Sequence, residues 1–310
     1  MSIKTTFLVP AYNALPHIRH TVRSMQDQTH KEFHAIIVND GSTDGTQDYL
    51  ESIKDSRFEI IHQENSGYVA ALNRGAELVK TPYFSRLDAD DLALPDRLHK
   101  QIQFLEQNPE VAVVASRSEY IFLSKRRFYI PLLFKCIRPG ISPPMKNPPF
   151  WDPICDGHNI THPSATIRRS SFEAIGGYRD LAPSEDYDLW IRLHDAGFLL
   201  ACLPDVLCLY RVSITSASSQ SYLRSVHTVH YARFCHDCRI SGTPEPNFED
   251  YAMSHPLSQE LKSSAEMKLR LRNSMGNILA GNFIRGGTTL AYILRNNHRF
   301  FLAKIKSRCR

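Results

Sequence analysis

From Thr5 to Ala115 short β-rich apolar runs alternate with segments whose apolar residues recur every three or four positions. That alternation constrains the fold more than any other feature of the chain. Thr5–Val9, Phe33–Val38, Phe58–Ile61, Tyr83–Leu87 and Val111–Ala115 read as strands. Ile18, Val22 and Met25 form the face of a first helix, and a second is expected over Thr46–Ile53, capped by Ser42, Thr43 or Asp44. Val69, Leu72, Ala76 and Val79 mark a third helix, and Leu98, Ile102 and Leu105 a fourth whose first turn suits Pro95. This order predicts an α/β fold on a doubly wound, mostly parallel sheet. Ligands of such sheets bind outside the carboxyl ends of the strands. Those ends are Pro10-Ala11-Tyr12-Asn13, Asn39-Asp40-Gly41-Ser42, Gln63-Glu64-Asn65 and Asp88-Ala89-Asp90-Asp91, each polar or turn-forming.

Beyond Ser116 the pattern lapses. Residues 131–153 hold seven prolines, which predicts a long excursion. Regularity returns with a strand at Ser164–Ile167, a helix near Ser184–Asp195 and a strand at Val206–Leu209. After about Ser216 the chain reads as helical and polar. The expected division is a domain over 1–215, in halves 1–116 and 117–215, followed by a helical, basic C-terminal region over 216–310.

With 42% apolar and 22% charged residues among 310, the chain is expected to be globular. Seven widely spread cysteines without a repeated spacing argue against a disulfide framework. No secretory leader is read at the start, and no apolar run approaches the ~18 residues of a spanning helix. A reducing cytoplasm is the expected compartment. The net charge of +5 gathers at the end: from Lys268 onward there are no acids, and the last residues include Lys304, Lys306, Arg308 and Arg310. Such a tail suits peripheral contact with an anionic membrane surface, and equally a solvated terminus. Basic residues are not interleaved with aromatics across a face, so nucleic acid is not an expected partner.

Asp88-Ala89-Asp90-Asp91 is the strongest chemical signal. Three carboxylates within four residues repel one another unless a cation neutralises them, and magnesium or manganese prefers such oxygen ligands. An ion held there can bridge a diphosphate; a helix cap needs only one of the acids. Asp40 can accept from a base N–H or close an Asx turn, and Tyr12 can stack on a base or pack over its strand end. A second acidic cluster lies in Ser184-Glu185-Asp186-Tyr187-Asp188-Leu189-Trp190. Acids in a first helical turn suit the helix dipole, but a carboxylate here can also act as a general base, its pKa raised by like-charged neighbours. Cys235-His236-Asp237-Cys238, with His227 and His230 upstream, lacks the second ligand pair of a zinc site, and helical packing accounts for it equally.

Val9-Pro10-Ala11-Tyr12-Asn13, Asn39 to Asp44, Glu64-Asn65-Ser66-Gly67, Leu72-Asn73-Arg74-Gly75, Asp88 to Asp91 and Glu185 to Trp190 occur in that order. Together, over roughly residues 3–211, they resemble the inverting glycosyltransferases of family 2, which have the GT-A fold. The resemblance implies a nucleotide-sugar donor, a UDP-sugar first of all, a glycan or lipid-linked saccharide acceptor and a divalent metal cofactor, Mg or Mn. It assigns 1–116 to the donor and 117–215 to the acceptor. By the same resemblance Pro10 and Tyr12 line the nucleotide site, Asp40 meets the base, and Asp88 faces the ribose or sugar. Asp90 binds the metal with Asp91 in support, and Asp186 is the base with Glu185 beside it. The segments His162 to Arg169 and Gly176-Gly177-Tyr178 resemble the border of the acceptor site.

Two positions depart from the family pattern. Leu72 stands where many relatives have Arg, leaving open a phosphate or base role for Arg74. Ser213 follows Tyr210-Arg211-Val212 where many carry a His, so water would complete the metal shell. A sugar nucleotidyltransferase would need a Gly-rich basic loop after the first strand, and a dinucleotide dehydrogenase a Gly-x-Gly-x-x-Gly there; neither is present. An inactive sugar- or nucleotide-sugar-binding protein on the same fold would not need both acidic clusters.

Overall fold

The computed structural model describes residues 3–15, 17–122, 150–156, 160–212 and 222–279. The proline-rich stretch as far as 149, Ser213 and the basic residues 280–310 lie outside them.

Four parallel strands form the first half of the sheet: β1 (Thr5–Ala11), β2 (Phe33–Asp40), β3 (Phe58–Gln63) and β4 (Tyr83–Arg86), in the order β3-β2-β1-β4. The register sets Ala11 beside Asn39 and Asp40 beside Gln63, so the polar strand ends converge on one edge. Side chains alternate strictly between the two faces. Phe7, Val9, Phe33, Ala35 and Ile37 enter one core, and Leu8, Ile36 and Val38 the other. Helices α1 (Ile18–Gln26), α2 (Thr46–Glu51) and α4 (Arg97–Gln107) cover the first face, and α3 (Tyr68–Leu78) the second. The expected helical faces are the buried ones: Ile18, Val22 and Met25 on α1, Leu98, Ile102 and Leu105 on α4.

The parallel order ends at β4. The next neighbours, β8 (Thr166–Arg168) and β6 (Val111–Phe122), add antiparallel. Thus the fifth strand of the sequence pattern joins through a strand that lies some fifty residues later in the chain. β9 (Leu199–Val212) follows, bordered by two two-residue strands, β5 (Leu92–Ala93) and β7 (Phe150–Trp151). Pro95 precedes α4 rather than opening it, and its carbonyl accepts from the N–H of Thr29. Helices α5 (Arg169–Ala174) and α6 (Glu185–Asp195) return to the second core, where Leu189, Trp190 and Leu193 pack.

The chain divides into two compact units: Met1–Tyr120 with Pro139–Arg211 and Thr228–Pro246, and Ile121–Arg138 with Val212–His227 and Asn247–Arg310. The first holds the sheet, α1 to α6 and most of α7 (Tyr222–Ser241); the second holds α8 (Phe248–Ser254) and α9 (Gln259–Leu279). Among the described residues no helix is long and apolar enough to cross a membrane.

Candidate active site

The first two strand-end loops are stitched to each other. Asn13 takes a left-handed conformation (φ 48°), its N–H donates to Ser42 Oγ at 2.9 Å, and its Oδ1 accepts from the Thr43 N–H at 2.8 Å. The N–H groups of Ala14 and Leu15 are taken by Thr46 Oγ1 and Asp44 Oδ2, and Asp44 Oδ1 receives the Thr46 N–H. Pro10 is buried within β1, whereas Tyr12 is 53% exposed on the loop. Asp40, 4% exposed, accepts from Gln63 Nε2 and the Ser66 N–H at 2.8 Å each and from the Gly67 N–H at 3.0 Å. It organises the third loop. Gly41 permits the close approach: at φ +71° a Cβ there would sit 2.8 Å from the backbone nitrogen of Asn65.

Asp88, Asp90 and Asp91 follow β4 with one oxygen of each within 4.8 Å of the others. Among the described residues no other group of three or more His, Cys, Asp or Glu ligand atoms lies so close. Asp91 is fully buried; its Oδ1 accepts the Arg211 N–H at 2.6 Å, while its Oδ2 has no partner. Asp91 does not cap α4, whose N-cap position is Asp96. Burial first, then the charge of Asp88, pushes the Asp90 carboxyl up to about 6, and burial with both neighbouring acids pushes Asp91 well up. Arg211 closes the group, its Nε donating to the Asp90 carbonyl at 2.7 Å. Mutually repelling carboxylates with an orphaned buried oxygen fit a hard divalent cation.

The acids of α6 separate by environment. Asp188 is fully buried and bonded to Arg192 Nε at 2.7 Å, and Arg192 in turn donates to the carbonyls of Ile175 and Gly177. Asp188 therefore anchors the helix. Asp186, 6% exposed, accepts from the Tyr187 N–H at 2.7 Å. Glu185 Oε1 lies 3.6 Å from His162 Nδ1, its Oε2 is buried without a partner, and His162 Nε2 meets the Tyr178 hydroxyl at 2.8 Å.

Tyr68 and Arg86 stand beside the first cluster, and Tyr178 beside the second. Arg86 Nη2 donates to Asp88 Oδ1 at 2.5 Å and to the Tyr68 hydroxyl. Tyr68 is 36% exposed as a residue, and desolvation at its hydroxyl end raises the phenol beside Arg86 and Asp88. Burial likewise raises Tyr178, with Arg86 opposing and Glu185 and Asp186 adding to the shift. By hydrogen bonding, Tyr68 and Arg86 belong with Asp88, and Tyr178 with His162 beside Glu185. Arg86 and Tyr68 were not singled out from the sequence. Their available signal was an arginine inside the apolar strand Tyr83-Phe84-Ser85-Arg86-Leu87, since a buried cation must find acceptors, a carboxylate among the candidates. Arg74 lies outside this group, on the surface 3.9 Å from Glu77. Cys235 and Cys238 are buried in α7, and His236 Nδ1 pairs with Asp195 at 2.7 Å. Arg168 braces the fold by donating to the carbonyls of Val111, Leu105 and Asn108.

A family model described as Glycosyl transferase family 2 matches residues 6–176, more than half of the chain. An uncharacterized glycosyltransferase of Haemophilus influenzae is 32% identical over 68% of this chain, and the match spans 66% of that relative's own length. An Escherichia coli relative named UDP-Glc:alpha-D-GlcNAc-diphosphoundecaprenol beta-1,3-glucosyltransferase WfaP is 30% identical over 70% of this chain and 80% of its own. Among solved structures, mannosyltransferase PcManGT of Pyrobaculum calidifontis, in complex with GDP-Man and Mn2+, superposes with a TM-score of 0.57. The superposition covers 99% of this chain and 80% of PcManGT at 19% identity; the likeness is one of fold, the GT-A fold.

Proposed function

The chain belongs to glycosyl transferase family 2, and on that premise we propose that it transfers a sugar from a nucleotide-sugar donor to a hydroxyl of a glycan or lipid-linked saccharide, with inversion. The observation that carries this reading is the cluster of Asp88, Asp90 and Asp91 at the end of β4, where Asp88 is bonded to Arg86 and Tyr68, together with the acidic first turn of α6, where Glu185 lies beside His162 and Tyr178.

In this mechanism Pro10 and Tyr12 border the nucleotide, and Asp40 shapes the base site through the loop it holds. Asp88 faces the sugar side of the donor. Asp90, supported by Asp91, would hold magnesium or manganese. When bound, such an ion neutralises the charge that grows on a departing diphosphate. Asp186 takes the proton of the acceptor hydroxyl, whose oxygen attacks the anomeric carbon opposite the diphosphate. One attack on one face inverts the configuration.

A UDP-sugar is the first donor to test, in keeping with the name of the Escherichia coli relative; that name also motivates a lipid-linked acceptor. Residues 1–215 are taken as the transferase domain. The basic C-terminus is assigned to peripheral contact at the cytoplasmic face of a membrane. A panel of UDP- and GDP-sugars, assayed for nucleotide release with Mn2+, with Mg2+ and with chelator, tests the reading. Release from one donor class, abolished by chelator, is the expected result; no release from any donor, with or without lipid-linked acceptors, would overturn it.

A further inference from the structure

Arg86 and Arg97 are both fully buried, but they are satisfied in different ways. Arg97 donates to Gln101 Oε1 and to the carbonyls of Pro163, Arg86 and Ala165. It is a strut whose acceptors are mostly backbone. Arg86 directs Nη2 to the Asp88 carboxylate and the Tyr68 hydroxyl, while its Nε and Nη1 have no hydrogen-bond partner. A buried donor left unpaired is destabilising, the more so when it is charged. An apolar residue would avoid that cost in a strand whose neighbour Phe84 enters the core. The bonds Arg86 does make converge on Asp88, one of three clustered carboxylates.

We propose that Arg86 is a positioning residue of the transfer site: it commits one oxygen of Asp88 to itself and Tyr68, and its fixed charge moderates the hold of the acidic cluster on a divalent cation. The inference rests on the glycosyl-transfer reading above and assigns a role to a residue to which the steps of that mechanism give none. Its physical basis is Coulombic. A buried positive charge next to three carboxylates opposes a second cation, so its removal strengthens ion binding while releasing Asp88 from its orientation. A purely structural arginine would behave differently, because its loss would weaken ion binding and stability together.

The test compares wild type with Arg86→Gln, Arg86→Lys and Tyr68→Phe. Free Mn2+ is followed by electron paramagnetic resonance, donor turnover by nucleotide release, and folding by thermal melting. Arg86→Gln is expected to bind Mn2+ at least about threefold tighter while its turnover falls about 100-fold. Arg86→Lys retains the charge without the planar fork, so Mn2+ affinity stays within about twofold of wild type and turnover is intermediate. Tyr68→Phe removes one acceptor of the guanidinium; it is expected to leave Mn2+ affinity unchanged and lower turnover several-fold. Weaker Mn2+ binding in Arg86→Gln, in step with a lower melting temperature, overturns the proposal, as does wild-type turnover in that variant. Should Arg86→Gln fail to fold, wild-type turnover in both other variants overturns it. Absence of turnover in wild type counts against the transfer reading, while the Mn2+ affinities test Arg86 separately.

Discussion

The side-chain amide of Asn73 pairs with both backbone polar groups of Tyr178, donating from Nδ2 to its carbonyl at 3.0 Å and accepting its N–H at 3.2 Å. A residue of α3 thereby fixes the segment whose tyrosine hydroxyl meets His162, beside Glu185. Asn73→Ala leaves a carbonyl and an N–H without these partners. It should lower stability by about 1–3 kcal/mol and reduce turnover even in the fraction that remains folded. Urea denaturation and an assay at matched folded concentration check both effects; an unchanged midpoint would remove the bracing role.

Neighbouring acids on α6 should respond to mutation in opposite ways. Asp186→Asn preserves shape and is expected to melt near wild type while losing about 100- to 10,000-fold in turnover, the span of general-base catalysis. Asp188→Asn breaks the buried pair with Arg192 and should cost about 3–5 kcal/mol of stability. Thermal melts beside steady-state rates distinguish them. Full activity of Asp186→Asn would refute the base assignment.

Gly75 of α3 lies tight against β1 and β2. An added Cβ would lie 2.3 Å from Leu8 Cδ1 and 3.0 Å from Val38 Cγ2, with both residues fully buried. Alanine ordinarily favours a helix over glycine, but overpacking reverses the sign here. Gly75→Ala should destabilise by about 1–3 kcal/mol, read as a lower denaturant midpoint with an unchanged slope.

Asp55 offers a pH test remote from the acidic site. The two-pronged bond from Arg57 holds its carboxyl down at about 2, with further bonds from the Arg57 N–H and Gln26. A folded-state value below the unfolded one contributes stability that is fully present above about pH 4. That contribution is lost as pH falls through about 2. Asp55→Asn should therefore cost about 1 kcal/mol at pH 7 and progressively less below pH 4. Denaturation of both proteins across that range checks the sign; a constant difference down to pH 2 would contradict it.

Much of the site was legible because its signals are local. The alternation of Phe7, Leu8 and Val9 across a strand and the recurrence of Ile18, Val22 and Met25 on a helix predict the parallel half and its two cores. Parallel strands then bring Asn39, Gln63 and Asp88 to one edge. What the motifs do there was less legible. Asn13, Ser42, Asp44 and Asp40 bond from loop to loop as scaffolding, and a motif match does not distinguish a loop brace from a ligand contact.

By itself the sequence determined the strand–helix order, the faces that turn inward and the two acidic clusters, since hydrophobic period and turn chemistry act over a few neighbouring residues. Only the tertiary structure decided that β8 and β6 join antiparallel, that Asp188 is anchored to Arg192, and that Arg86 is buried against Asp88. The reason is that a buried charge or amide must find its partner in space, and strand pairing supplies that partner from distant parts of the chain, as Tyr178 meets Asn73.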